Sequence, residues 1–131
     1  KTPVMADESV FGPLQVIELI EQRAADIINI KLMKTGGISN AIRIADIAAL
    51  YGVECMIGCM IETSISVAAA VHLAIAKSDV ITKVDLDGPS LCAFDPVDGG
   101  VTPRAIVLAT RFFLDVAVAA IRGCDTEGLV T

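Results

Sequence analysis

Apolar and polar positions along the 131-residue chain alternate between two periods. Short apolar runs end at Val4–Ala6, Ile27–Leu32, Val53–Ile57 and Val80–Val84, each of a length suited to a buried strand. Between them the spacing turns helical. Leu14, Ile17, Ile20 and Ala24 follow Pro13, a residue well placed in a first turn because its missing N–H would be unpaired there anyway. Gly36-Gly37 reads as a turn, with Ser39 as the N-cap of a helix running to about Tyr51 and stopped by Gly52. A long Ala-rich helix spans about Glu62 to Lys77. The order β-α-β-α-β-α-β calls for parallel strands joined by right-handed crossovers.

A polar or small residue follows each strand. Asp7, Lys31, Gly58 and Asp85 stand 24, 27 and 27 residues apart, the size of one βα unit of a (β/α)8-type barrel, whose strand C-termini build the active site. An open doubly wound sheet is the competing reading, and it lacks a G-x-G-x-x-G after any strand. A complete barrel takes about 250 residues, so four strands are expected to be the C-terminal half of a larger protein or a truncated copy of one. The expected division is residues 1–100 as half-barrel and 101–131 as a tail, in which Pro103 to Arg122 reads as an apolar helix.

Composition narrows the function. Hydrophobic residues make up 54% of the chain and aromatics only 4%, which suits parallel strands covered by small-residue helices. A net charge of −6 without a basic stripe speaks against nucleic acid. His72 or Arg111 and Asp115 interrupt the most apolar segments, leaving no stretch of the roughly 18 residues a membrane span needs. Cys55, Cys59, Cys92 and Cys124 contain no C-x-x-C pair, so buried reduced thiols in a cytoplasmic protein are expected.

The strand-end residues carry the candidate chemistry. Asp7 and Glu8, in ADES, are either loop carboxylates or hard-cation ligands, since Mg²⁺ takes carboxylate oxygens. Lys31 is either a snorkelling surface lysine or an acid/base group. Lys34 is expected in solvent or at the rim. Asp85 and Asp87, in VDLDG, share a face through strand alternation and are either turn carboxylates or a seat for a cationic substrate group. His72 reads as a helix-packing or helix-surface residue, Gly36-Gly37 as a tight turn, and Glu62 as support for a helix N-terminus. Taken together, a carboxylate, a lysine and an acidic pair at one barrel mouth suit proton abstraction next to a carboxylate, with a cation stabilising the enediolate.

At these residues the sequence resembles the enolase superfamily, in its muconate-lactonizing-enzyme subgroup. ADES at Ala6–Ser9, NIKLMKTGG at Asn29–Gly37 and GCMIETS at Gly58–Ser64 are similar to that subgroup's late-barrel motifs. The resemblance implies a (β/α)7β barrel, with Asp7 as a Mg²⁺ ligand and Lys31 as an acid/base catalyst. VDLDGP resembles the D-x-D motif of dipeptide epimerases, which implies that Asp85 and Asp87 bind a dipeptide's α-ammonium group and that Cys59 and Ile61 line the dipeptide site. The implied reaction is a 1,1-proton transfer between two lysines on opposite faces of Cα. The family's second lysine, in a K-x-K motif, and its other two metal ligands belong to earlier strands. The isolated chain is therefore expected to have little or no activity. The alternatives are another racemase or cycloisomerase of the subgroup, acting on a different N-acyl or amino-acid substrate, and a non-catalytic half-barrel whose open edges pair with a second copy or with a missing N-terminal half. Residues 101–131 depart from the family's usual ending.

Overall fold

The computed structural model describes residues 2–96; the expected apolar helix at Pro103–Arg122 and the division near residue 100 lie outside them. Four strands alternate with helices: β1 (Met5–Ala6), α1 (Pro13–Glu21), β2 (Ile27–Lys31), α2 (Leu32–Thr35), α3 (Ile38–Tyr51), β3 (Glu54–Gly58), α4 (Ser64–Ala76), β4 (Ile81–Asp85) and α5 (Gly88–Leu91). The strands form one all-parallel sheet in the order β1-β2-β3-β4. Sequential order with crossovers of the usual right hand stacks every helix on the same face. Accordingly, α1 packs on α3 and α3 on α4.

Strand alternation sorts the side chains between the two faces. Toward the helices, Ile28, Ile30, Ile57 and Ile81 are wholly buried against Val16, Ile44 and Val67. Burying each such aliphatic side chain stabilises the fold by about 1.5–3 kcal/mol. The opposite face bears Ile27, Asn29 and Lys31 from β2, Glu54, Met56 and Gly58 from β3, and Lys83 and Asp85 from β4. The parallel register sets Lys31, Gly58 and Asp85 in one row across three strands. A register shift between Cys55 and Met56 sets Lys83 opposite Met56 and Asp85 opposite Gly58.

Several expected boundaries move by a residue or two. Helix α1 ends before Ala24 because Arg23 turns into the left-handed region at φ 52°. The N-cap of α3 is Gly37, not Ser39, which lies in the helix's first turn. Gly36 at φ 74° and Gly37 at φ 108° complete the turn one residue sooner than the serine signal suggests, in a conformation glycine adopts without a Cβ penalty. Helix α4 starts at Ser64, leaving Glu62 in the preceding loop. The one-turn helix α2, which the hydrophobic pattern does not reveal, separates Lys31 from the glycine turn. Among the described residues no helix is long and apolar enough to cross a membrane.

Candidate active site

The carboxyl ends of the strands gather the charged residues. Asp7 leaves β1 in a turn closed by Val10 N–H donating to the Asp7 carbonyl at 3.0 Å. Lys31 closes β2, and its Nζ donates to Asp7 Oδ2 at 2.9 Å, with Glu8 Oε1 3.6 Å away. Lys34 reaches the same carboxylate from α2. Its Nζ lies 2.5 Å from Asp7 Oδ1 and also donates to the Asp7 backbone carbonyl. Each oxygen of one carboxylate is thus held by a different ammonium.

Helix α2 makes this convergence possible. The Thr35 hydroxyl donates to the Lys31 carbonyl at 3.2 Å, Asn40 Nδ2 to the Thr35 carbonyl at 2.9 Å, and Gly37 N–H to the Leu32 carbonyl at 2.9 Å. Residues three apart on a helical turn face the same way, so Lys34 folds back over the strand end. Its side chain is only 5% exposed, against 12% for Lys31. Lys34, expected in solvent or at the rim, is instead the better buried of the two lysines.

Electrostatics follow from this packing. Burial works against ionisation of Asp7, but the hydrogen bonds and charges of Lys34 and Lys31 together hold its carboxyl below the usual range. Burial also works against the Lys31 ammonium, and Asp7 with Glu8 outweighs it, raising that lysine above its ordinary value.

Gly58 has to be a glycine for a different reason from Gly36. A Cβ there would lie 2.7 Å from Asn29 Oδ1 and 3.1 Å from Lys31 Cε. The side chains of Asn29 and Lys31 therefore lie across β3 where a side chain at 58 would stand. Asn29 is 2% exposed, and its Oδ1 has no hydrogen-bond partner among the described residues.

A second cluster lies at the ends of β3 and β4. Gly88 N–H donates to Cys59 Sγ at 3.3 Å, and Asp87 Oδ1 lies 3.9 Å from the same sulfur. Burial pushes the Cys59 thiol up, and the nearby carboxylates of Asp87, Glu62 and Asp85 add to that push. Asp85 and Asp87 are both exposed while Leu86 between them is buried; Asp85 ends β4, whereas Asp87 lies beyond the strand as the N-cap of α5, in the helical region at φ −82° and ψ −4°. Glu62 orders the intervening loop, its Oε1 accepting from Met60 N–H at 2.9 Å and its Oε2 from the Ser66 hydroxyl. Ile61 is 74% exposed on that loop. His72 lies on the exposed surface of α4.

Sequence reasoning singled out Asp7, Lys31, Cys59, Ile61, Asp85 and Asp87, and missed Lys34, Asn29 and the crowding at Gly58. The only sequence signal for Lys34 was its three-residue spacing from Lys31. Among the described residues no three His, Cys, Asp or Glu side chains are grouped to hold a metal. The Asp7 carboxylate is nonetheless a hard oxygen donor at a strand end and so suits one ligand position of a hard cation, which would compete with Lys31 and Lys34 for its oxygens.

Comparison with known proteins identifies the family. Residues 1–110 match the family model described as enolase C-terminal domain-like. The chain belongs to this family. It is 63% identical over 98 residues to the L-Ala-D/L-Glu epimerase of Clostridium acetobutylicum, which covers 75% of this chain and 27% of that protein. The L-Ala-D/L-Glu epimerase of Bacillus subtilis is 52% identical over 101 residues, covering 77% of this chain and 27% of its own length. Among solved family structures, the dipeptide epimerase of Enterococcus faecalis complexed with Mg and L-Leu-L-Tyr superposes with a TM-score of 0.74 at 48% identity, over 79% of this chain and 29% of that one. The fold is accordingly part of an enolase-superfamily barrel, and the chain spans about a quarter of the length of the curated relatives it matches.

Proposed function

We propose that this chain is the lysine-bearing part of the barrel of a Mg²⁺-dependent dipeptide epimerase, an isomerase that moves a proton at the Cα of a dipeptide such as L-Ala-L-Glu. The observation that carries the reading is the convergence of Lys31 on Asp7 at the strand ends, in a chain 63% identical to an enzyme of that activity. Lys31 takes or returns the Cα proton from one face, and Asp7 is one ligand of the cation. The cation, when bound, supplies positive charge that stabilises the enediolate. Asp85 and Asp87 together present the two negative charges that complement an α-ammonium group, and Cys59 and Ile61 line the neighbouring wall. The base for the opposite face and the remaining ligands come from outside the described residues.

A graft tests the proposal. The matching stretch of the Clostridium acetobutylicum enzyme is replaced by residues 1–98 of this chain, and Cα proton exchange of L-Ala-L-Glu is followed by NMR in D₂O. Exchange that depends on added Mg²⁺ and is abolished by a chelator is the expected result. A folded graft without exchange would overturn the reading; epimerisation by the isolated 131-residue chain would overturn the expectation that the chain alone is inactive.

A further inference from the structure

A buried acceptor with nothing to accept from is costly, because it has given up water without replacing it. Among the described residues Asn29 Oδ1 is such an atom, on a side chain 2% exposed. It lies on the same face of β2 as Lys31, two residues earlier, and both side chains crowd one point above Gly58. Asn29 Oδ1 comes within 2.7 Å of it and Lys31 Cε within 3.1 Å. The Lys31 Nζ has three N–H groups to place; among the described residues Asp7 Oδ2 accepts one, and Glu8 Oε1 is a more distant ion-pair partner. A donor with capacity to spare thus stands beside an acceptor that lacks a donor. The flexible end of the lysine is the part that can close the gap.

We propose that Asn29 is a positioning residue, whose Oδ1 is a second seat for the Lys31 ammonium. The inference rests on the proposed epimerase reading for its purpose: when Asp7 is engaged by a cation, its carboxylate has less charge to offer Lys31, and the ammonium shifts to Asn29 without leaving the mouth. Lys34 stays behind on Asp7 Oδ1, fixed by its further bond to the Asp7 carbonyl. The two lysines divide the work. Lys34 keeps the carboxylate in place, and Lys31 moves between two acceptors.

Competitive acetylation of the 131-residue chain with trace acetic anhydride, read by mass spectrometry, tests the seat without metal or substrate. Its failure is therefore separable from failure of the epimerase reading, which the graft assay decides. In Asp7→Asn/Glu8→Gln, which removes both carboxylates, Lys31 is expected to label about tenfold more slowly than the internal standard Lys83, as one retained hydrogen bond to a charged group implies. Adding Asn29→Leu should bring the two rates within about twofold, while adding Asn29→Asp, which keeps an acceptor oxygen, should leave Lys31 slow. Labelling of Lys31 at the Lys83 rate with Asn29 intact would overturn the proposal. So would an Asn29→Leu effect that raises Lys31 and Lys77 alike, the mark of general loosening. If the leucine variant fails to fold, the ¹³Cγ shift of Asn29 decides, since it must move between the unaltered chain and Asp7→Asn/Glu8→Gln if Oδ1 gains a donor. An unchanged shift sinks the seat.

Discussion

The open face of the sheet carries a lysine–carboxylate contact at each of its two ends, and the two differ in everything but residue type. Near the start of β3, Lys83 Nζ pairs with Glu54; their side chains are 37% and 57% exposed. At the finish of β1 and β2, two lysines with side chains 12% and 5% exposed share the single carboxylate of Asp7, itself 37% exposed, so the burial lies on the lysine side of the cluster. The first is an ordinary surface pair, of a kind that contributes little to stability. In the second, several groups are packed around one charge, beside an amide oxygen that has no partner among the described residues. What distinguishes the site is convergence and burial, and neither can be read from a list of charged residues.

The largest expected effect separates the ends by chemistry. In the grafted enzyme, Lys31→Ala should lower the rate of Cα proton exchange about 10²- to 10⁴-fold, the usual contribution of a positioned acid/base group. Lys83→Ala should leave it within about twofold. Equal losses in the NMR exchange assay would erase the functional contrast.

Stability gives the next contrast. Asp7→Asn leaves the Lys34 ammonium, 5% exposed, without its charged partner, and should cost about 1–3 kcal/mol in urea unfolding of the 131-residue chain. Glu54→Gln strands only a group that water reaches, and its unfolding midpoint should move much less. Gly58→Ala sharpens the same point through packing. The new methyl would stand 2.7 Å from Asn29 Oδ1, and such overpacking typically costs about 1–3 kcal/mol. The Lys31→Ala background relieves one of the two crowding side chains and should recover part of that loss; an undiminished loss would show that Lys31 does not press on this point.

The four strands and their parallel order were legible because each apolar run is short, bounded and followed by a polar residue at a nearly constant interval. Asp7 and Lys31 could be paired in advance, since successive strand ends of one barrel face the same mouth. Lys34 could not. Its place depends on α2, a single turn held by the Thr35 hydroxyl and closed by Gly36 in the left-handed conformation; four residues are too few to show a helical period. Gly58 and Asn29 were hidden for another reason. Their relation is cross-strand, with Lys31 opposite Gly58 and Asn29 opposite Met56, and it exists only once the register is fixed. The boundaries that moved, at Arg23, Ser39 and Glu62, all lie where a turn conformation rather than a hydrophobic pattern ends or starts the helix.

The smallest effect discriminates the two ends by screening. Both Asp7 and Glu54 titrate below their ordinary values, Asp7 because its two lysines outweigh burial and Glu54 because of the hydrogen bond and charge of Lys83. A carboxyl lowered in the folded state stabilises the fold above its unfolded value, and that contribution is lost as pH falls through the lower folded one. Each therefore steepens the acid limb of stability, below 3.8 for Asp7 and below 4.5 for Glu54. Salt at 1 M shortens the screening length to about 3 Å and weakens exposed pairs much more than buried ones. Asp7→Asn should therefore still flatten the acid limb of urea-unfolding free energy at 1 M salt, whereas Glu54→Gln should do so only at low salt. If salt abolished both differences alike, the Asp7 cluster would be as open to water as the Lys83–Glu54 pair, and burial would no longer separate the two ends.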